Sequence, residues 1–217
     1  MEKLLKIAIV GCKGKMGSLL CHELKDDYDV VGIEKGEKLE GTNAELVVDF
    51  ASAESSVESA LWCKKNAVPI IIGSTGQSAM QMKQLCEVSK SVPVFKAGNF
   101  SAGIQFLKNS IFNFVNSEVQ DVVVFEKHHK EKKDAPSGTA IEISDYILNN
   151  FKIKPSVIYE RGGKEIGTHS VDIYYKNEVI TITHKAFSRE AFVDGVKKAI
   201  IFMQKTKING LYSMENI

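Results

Sequence analysis

Ile7-Ala8-Ile9-Val10-Gly11-Cys12-Lys13-Gly14-Lys15-Met16-Gly17 joins four apolar, β-prone residues to a glycine-rich turn and then to the start of an amphipathic segment. A strand, a tight turn and a helix in direct succession aim the helix N–H groups, and the positive end of the helix dipole, at a bound phosphate. The glycines fall as GxxGxxG rather than GxGxxG, so Lys13 stands where the standard dinucleotide fingerprint lets a pyrophosphate approach the backbone. Glu34 closes the next apolar run, at the place where a ribose hydroxyl is held in such folds. Lys13, Lys15 and Lys35 bring cations to the same neighbourhood, so a ribose 2′-phosphate is expected to be tolerated as well as a 2′-hydroxyl. The competing reading is a plain glycine turn in an α/β domain that binds nothing.

Outward from this turn the first hundred residues repeat one rhythm. Apolar runs at Ile7–Val10, Val30–Ile33, Leu46–Phe50, Pro69–Ile72 and Val92–Phe95 are separated by helical patterns at Lys15–Lys25, Ala53–Lys65 and Ser78–Lys90. The link from Ile33 to Leu46 is too short and too rich in Gly and Glu for a helix. This alternation predicts an α/β fold, a doubly wound parallel sheet with helices on both faces. Ligands of such sheets lie at the carboxyl ends of the strands. Two more strand ends therefore matter: Gly73-Ser74-Thr75-Gly76, and Lys96-Ala97-Gly98-Asn99-Phe100-Ser101-Ala102-Gly103. Their small residues let backbone N–H and C=O groups approach a flat ring with a carboxamide, and a nicotinamide fits that description. Plain turns are the alternative.

Beyond residue 100 the rhythm changes. A helix over Ile104–Val115, a strand ending at His128, a helix over Ser137–Asn149 and strands at Val157–Tyr159, Ser170–Tyr175 and Glu178–His184 predict an α+β second domain with a mixed sheet. Lys176-Asn177 turns a hairpin between its last two strands. The segment Arg161–Gly167 reads as a polar glycine loop on that sheet. The amphipathic tail Arg189–Met203 returns to the first domain. The expected division is thus 1–100 completed by 189–217 for the dinucleotide, and 101–188 for substrate and oligomerisation.

The chemistry concentrates in Glu126-Lys127-His128-His129-Lys130-Glu131-Lys132-Lys133-Asp134-Ala135-Pro136-Ser137-Gly138-Thr139, which follows the run Val122–Phe125. Successive side chains on a strand point to opposite faces, so His128 and His129 are expected to do different jobs. Pro136 sits well in the first turn of a helix. The N–H groups of Ser137, Gly138 and Thr139, with two hydroxyls and the dipole, then form a site for a carboxylate or phosphate. With Lys132 and Lys133 close by, an anionic substrate and an imidazole able to move a proton near neutral pH are expected. An exposed basic loop with an ordinary helix cap is the bland alternative.

Composition narrows the class. Of the 217 residues 28 are basic and 27 acidic, for a formal charge of +1, which leaves no bias toward nucleic acid. No apolar run approaches the roughly twenty residues of a membrane span. The start Met1-Glu2-Lys3-Leu4-Leu5-Lys6 runs straight into strand, so a cytoplasmic protein is expected. Cys12, Cys21, Cys63 and Cys86 form no CxxC pair and have no metal-like spacing to the histidines. They read as reduced, mostly buried thiols, with a catalytic cysteine as the alternative, and no metal is expected.

Taken together, Gly11-x-x-Gly14-Lys15-Met16-Gly17, Val48-Asp49-Phe50, Gly73-Ser74-Thr75-Gly76, Asn99-Phe100-Ser101, the block from His128 to Ala140 and Thr183-His184-Lys185-Ala186-x-Ser188-Arg189 resemble the 4-hydroxy-tetrahydrodipicolinate reductase (dihydrodipicolinate reductase) family, in order and over nearly the whole chain. The block from His128 to Ala140 is the specific part. The chain is shorter than is usual between Ile33 and Leu46 and before Val157, and Ser74 stands where Thr is usual. The resemblance implies a Rossmann-like cofactor domain, a substrate domain whose sheet builds a homotetramer, and reduction of a cyclic unsaturated imine dicarboxylate by NADH or NADPH in lysine and diaminopimelate synthesis. It implies His128 as general acid, Lys132 as its cationic partner, and His129, Ser137, Gly138 and Thr139 as substrate contacts. Gly11, Lys13, Gly14, Lys15, Met16, Gly17, Glu34, Lys35, Gly73, Ser74, Thr75, Asn99 and Phe100 are the expected cofactor set. Two other classes stay open on the residues alone: a nicotinamide-sensing regulator, and another small imino- or oxo-acid reductase.

Overall fold

The computed structural model describes residues 3–34, 36–116 and 118–217. The chain divides into two compact units, one running to Phe100 and resuming at Val193–Ile217, the other Ser101–Phe192.

The first unit is built from β1 (Lys6–Val10), α1 (Lys15–Leu24), β2 (Asp29–Ile33), β3 (Leu46–Asp49), α2 (Ala53–Asn66), β4 (Ile70–Ile72), α3 (Ala79–Ser89) and β5 (Val94–Lys96). Its sheet has the order β10-β5-β4-β3-β1-β2, where β10 is the two-residue strand Leu211–Tyr212, and every pairing is parallel. β3 and β4 are buried along their whole length, as is β1 from Ile7 on, which is why they read as continuous apolar runs rather than alternating ones. The helix boundaries follow their caps. Ser52 accepts from the Ser55 N–H at the start of α2, which ends at Ala67 in the left-handed region (φ 54°). Ser78 and Gln81 form a reciprocal capping box on α3. Between β2 and β3 the described residues contain no helix, as the short link implied.

Because β1 is flanked by β2 on one side and β3 on the other, the strand order reverses at β1, and that is where ligands of open α/β sheets bind. Gly11 (φ +81°) makes the turn there, with Ala51, just beyond β3, packed against it. Asp49, fully buried at the end of β3, accepts from the Ala51 N–H at 3.0 Å and from the Ser55 and Ser59 hydroxyls at 2.9 and 2.7 Å. It therefore braces the turn facing the glycines. All four cysteines are free, but only Cys63 is buried; Cys12 and Cys21 are half-buried and Cys86 is exposed, so the expectation of mostly buried thiols is corrected.

The second unit holds α4 (Ala102–Phe114), β6 (Asp121–His128), α5 (Gly138–Phe151), β7 (Ser156–Arg161), β8 (Gly167–Tyr174) and β9 (Val179–Ala186). Its four-stranded sheet, ordered β7-β6-β8-β9, is mixed: β6 and β7 are parallel, the other pairs antiparallel. Val122, Val124, Val171 and Ile173 face Ile104, Leu107, Ile143 and Ile147 of the helices in one apolar core. A last helix, α6 (Glu190–Lys205), carries the chain back into the first unit, where Gly195 lies so close to the Phe100 carbonyl that a methyl group would overlap it. No helix among the described residues is long and apolar enough to cross a membrane.

Candidate active site

On the first unit the cradle is the Gly11–Gly17 turn. Gly14 is the N-cap of α1 and offers no side-chain cap, so the first N–H groups of this helix have no side-chain acceptor at that position, in contrast to α2 and α3. Gly17 lies against the Gly11 carbonyl, where a methyl would overlap backbone, and a Cβ on Gly14 would come within 3.2 Å of the same oxygen. The glycines hold the turn tight against the helix start, which is the shape a pyrophosphate needs.

Lys13 does not reach toward a ligand here. Its Nζ pairs with Glu34 at 2.5 Å, and this contact raises the lysine above its ordinary range. The two residues expected to choose between a ribose hydroxyl and a ribose phosphate therefore neutralise each other. Lys35 lies outside the described residues.

At the end of β4, Gly73 leaves room for the Phe50 ring, and the buried Ser74 is held by Gln77, whose Nε2 donates to its hydroxyl at 3.0 Å and its carbonyl at 3.2 Å. Thr75 is exposed. Asn99 is buried, and the Phe100 ring packs against Phe50 and Phe95 at centroid distances of 5.5 and 6.0 Å. Phe100 thus serves the core with its side chain, which leaves its backbone as the part able to approach a cofactor at this strand end.

The second unit gathers a polar cluster at the end of β6. Glu126 and His128 are two apart on the strand and share the helix-covered face, with Arg161 of β7 and His169 of β8 on either side. Glu126 has no exposure at all. Its Oε1 accepts from Arg161 Nη2 at 2.7 Å and from the Ser137 N–H at 3.0 Å, and its Oε2 meets His128 Nδ1. Burial alone would raise the Glu126 carboxyl, but Arg161, the Ser137 N–H and His128 together hold it below the usual range. His128 is pushed down by burial, opposed by Glu126 and reinforced by the Lys132 and Arg161 charges. The His128 and His169 rings meet edge-on at 5.1 Å.

Three expectations change at the start of α5. The N–H of Ser137 is not open to a ligand, because Glu126 takes it, and the Ser137 hydroxyl is engaged by the Ala140 N–H and by His169 Nε2, both at 3.2 Å. Gly138 is exposed and Thr139 half-buried, and the Gly138 N–H faces the Asp134 carboxylate, so the expected anion cradle is met here by the protein's own Glu126 and Asp134. Lys132 is paired with Asp134 at 2.8 Å. Burial disfavours the Asp134 charge, but Lys132 and the backbone N–H groups of Asp134 and Gly138 outweigh it and keep the carboxyl below its usual range. His129, one residue past β6, donates its N–H to the Glu165 carbonyl at 2.9 Å and is half-buried.

Arg161, Glu126 and His169 carry this cluster, and the sequence reading assigned no role to them. Glu126, His128 and His169 are the one group among the described residues whose donor atoms come within 4.8 Å of one another, as a metal site requires. Arg161 and Lys132 place two cations beside it, and both Glu126 oxygens are engaged, so the set suits a proton better than a metal dication.

His169 gives a direct stability test. Burial, with the neighbouring His128 charge second, pushes its imidazole down to about 3. A depressed folded value means that the unfolded chain takes up this proton first, so stability is full above the ordinary 6.5 and is lost as pH falls from there toward 3. Between pH 7 and pH 5 this group alone should remove about 2 kcal/mol of stability. Urea unfolding of His169→Gln at the two pH values should show a dependence flatter than wild type by that amount; an unchanged dependence would count against a neutral buried His169.

A helix start without a side-chain cap, in a glycine turn at the switch point of a parallel sheet, joined to a unit that gathers an imidazole, a carboxylate, an arginine and a lysine at one strand end, is the layout of a two-domain dinucleotide-dependent oxidoreductase. Family models described as dihydrodipicolinate reductase, N-terminus and C-terminus, match residues 27–100 and 103–217. The 4-hydroxy-tetrahydrodipicolinate reductases of Clostridium tetani and Caldanaerobacter subterraneus subsp. tengcongensis are 33% and 34% identical, over 98% and 99% of this chain and 96% and 98% of theirs. Among solved structures, a dipicolinate-bound dihydrodipicolinate reductase from Paenisporosarcina sp. TG-14 superposes with a TM-score of 0.77 at 21% identity, covering 99% of both chains, a likeness of fold. The chain belongs to the dihydrodipicolinate reductase family. Both alignments to relatives span 247 positions against 217 residues here, in keeping with a shortened chain.

Proposed function

We propose that this protein reduces 4-hydroxy-tetrahydrodipicolinate to tetrahydrodipicolinate with NADH or NADPH, in lysine and diaminopimelate biosynthesis. The observation that carries the reading is the seating of His128, buried at a strand end, beside Lys132 and the exposed Gly138 start of α5. Such a set binds a dicarboxylate and delivers a proton; family membership supplies the particular substrate.

The Gly11–Gly17 cradle and the open start of α1 would hold the pyrophosphate, with Glu34 and Lys13 at the adenine ribose and the strand ends at Gly73–Thr75 and Asn99 toward the nicotinamide. When bound, the nicotinamide supplies a hydride. His128 supplies the proton for the substrate carbon left electron-rich, an acid catalysis worth ~10² to 10⁴ in rate. Gly138, Thr139 and His129 orient the carboxylates, and Lys132 offsets their charge. A substrate carboxylate displacing Asp134 from Lys132 would leave that cation on the substrate. Overall the substrate takes up one hydride and one proton and loses water.

Following nicotinamide absorbance with freshly generated substrate tests the reading. Both cofactors should support turnover, because the Lys13–Glu34 pair presents neither a lone carboxylate to repel a 2′-phosphate nor a lone lysine to demand one. A thousandfold preference for either would overturn that expectation. A chain that binds both cofactors and turns over nothing would be a sensor.

We further propose a cytoplasmic homotetramer. The sheet face away from the helices carries Val123, Phe125, Ile158, Tyr174 and Val179, of which the last three are exposed. Apolar patches of this kind mark interfaces; a monomer by light scattering at micromolar concentration would refute the assembly.

A further inference from the structure

We propose that Glu126 is the residue that fixes which nitrogen of His128 carries the transferable proton, accepting at Nδ1 and so assigning Nε2 as the donor. The inference rests on His128 being the proton donor of the reaction above. Its structural part can be judged separately.

An ionised carboxylate only accepts hydrogen bonds. Glu126 is kept ionised by Arg161 and the Ser137 N–H on Oε1, so its Oε2 requires a hydrogen on His128 Nδ1. The neutral imidazole is thereby held as the Nδ1–H tautomer, and a second proton must enter and leave at Nε2. Nε2 lies beside Gly167, where a side-chain Cβ would come within 2.9 Å, and no hydrogen bond from Nε2 to a described residue is seen. The glycine leaves that nitrogen uncovered.

A carboxylate at this place is not required by packing. Val122 and Val124 occupy the two preceding positions of the same strand face, and an apolar residue at position 126 would continue their core without any ion to neutralise. What Glu126 adds is a link: one side chain ties the imidazole on β6 to Arg161 on β7 and to the first N–H of the anion-binding helix. The proton donor and the carboxylate cradle are set relative to each other through it.

The charges facing His128 are Glu126 on its own strand, Arg161 on β7, His169 on β8, Lys132 in the following loop and Glu165 before β8. His169 is neutral at working pH, and burial, Lys132 and Arg161 all disfavour the imidazolium. Glu126 is the group that contacts His128 and favours it.

Glu126→Gln is the test. Oε1 of the amide must still accept from Arg161 and Ser137, so the NH₂ group turns to His128 and donates to Nδ1, which inverts the tautomer to Nε2–H. In ¹⁵N-labelled protein the His128 ring should report Nδ1–H in the wild type and Nε2–H in the variant. The basic limb of the turnover profile, where the acid loses its proton, should move at least about one pH unit toward acid, with a tenfold or greater fall in turnover at neutral pH. Cofactor affinity should hold. Should the variant fail to fold, Glu126→Asp keeps the charge for Arg161 but retreats by one methylene from His128. It should lose the fixed tautomer while unfolding cooperatively. An Nε2–H ring in the wild type, or an unmoved tautomer and limb in the variants, would overturn the proposal. An inactive wild type with the Nδ1–H tautomer would instead sink the reaction reading and leave the Glu126 assignment standing.

Discussion

Replacing His128 by Gln should lower turnover at saturating substrate by about two orders of magnitude, with cofactor affinity and thermal melting near wild type. The size follows from the loss of a positioned proton donor, since an amide cannot deliver a proton. The preserved stability follows from the neighbours. Glu126 is buried and needs a donor at Oε2, and the Gln NH₂ group can take the place of Nδ1–H there, so no carboxylate is left unpaired. Arg161 and the Ser137 N–H continue to hold the other oxygen. A His128→Ala change would confuse the two effects, because it leaves Oε2 without its donor and opens a void against His169. Stopped-flow with a single turnover of enzyme-bound nicotinamide separates the chemical step from release. If His128→Gln kept most of its turnover, or lost it only by unfolding, the proton would have to come from another group, and this cluster would cease to be the catalytic centre.

The sheet of the first unit was readable because parallel strands buried on both faces are written as unbroken apolar runs, and β1, β3 and β4 are of that kind. Leu211–Tyr212 gave no such signal. Two residues have no period, and they become a strand only because the Gly210 carbonyl and β5 are there to pair with them. The site divides along the same line. His128, Lys132 and the start of α5 lie within one short stretch, so residue types and local spacing announced them. Arg161 and His169 meet Glu126 from 35 and 43 residues away through strand pairing, and no local pattern states that register. The consumption of the Ser137 N–H by Glu126 was hidden for a related reason. A helix start predicts free donors, whereas the buried acceptor that claims one of them sits on another element. Lys13 and Glu34 were each named from the sequence as ribose-side candidates, but their ion pair depends on the parallel register of β1 and β2.

Gly17→Ala should weaken binding of both cofactors by at least about tenfold and destabilise the first unit by about 1–3 kcal/mol, the usual range for forcing an atom into a packed site. Any side chain at position 17 points into the Gly11 carbonyl, with Cys12 Cα 2.9 Å away. Both are backbone and cannot rotate aside. The turn must therefore lift from α1, and Gly11 is poorly placed to absorb the shift: it already occupies φ +81° and is packed on Ala51, which the Asp49 carboxylate holds through its N–H at 3.0 Å. Lifting the turn moves the Gly14 N-cap and the helix N–H groups off the line of the pyrophosphate, so the loss should fall on the dissociation constants of NADH and NADPH alike. Substrate-side behaviour should be spared, because the second unit has its own core and its own sheet. Fluorescence titration with each cofactor, beside urea unfolding of the same variant, reads the two effects separately. A variant that binds both cofactors as wild type does, at wild-type stability, would show that the glycine cradle is not where the pyrophosphate rests.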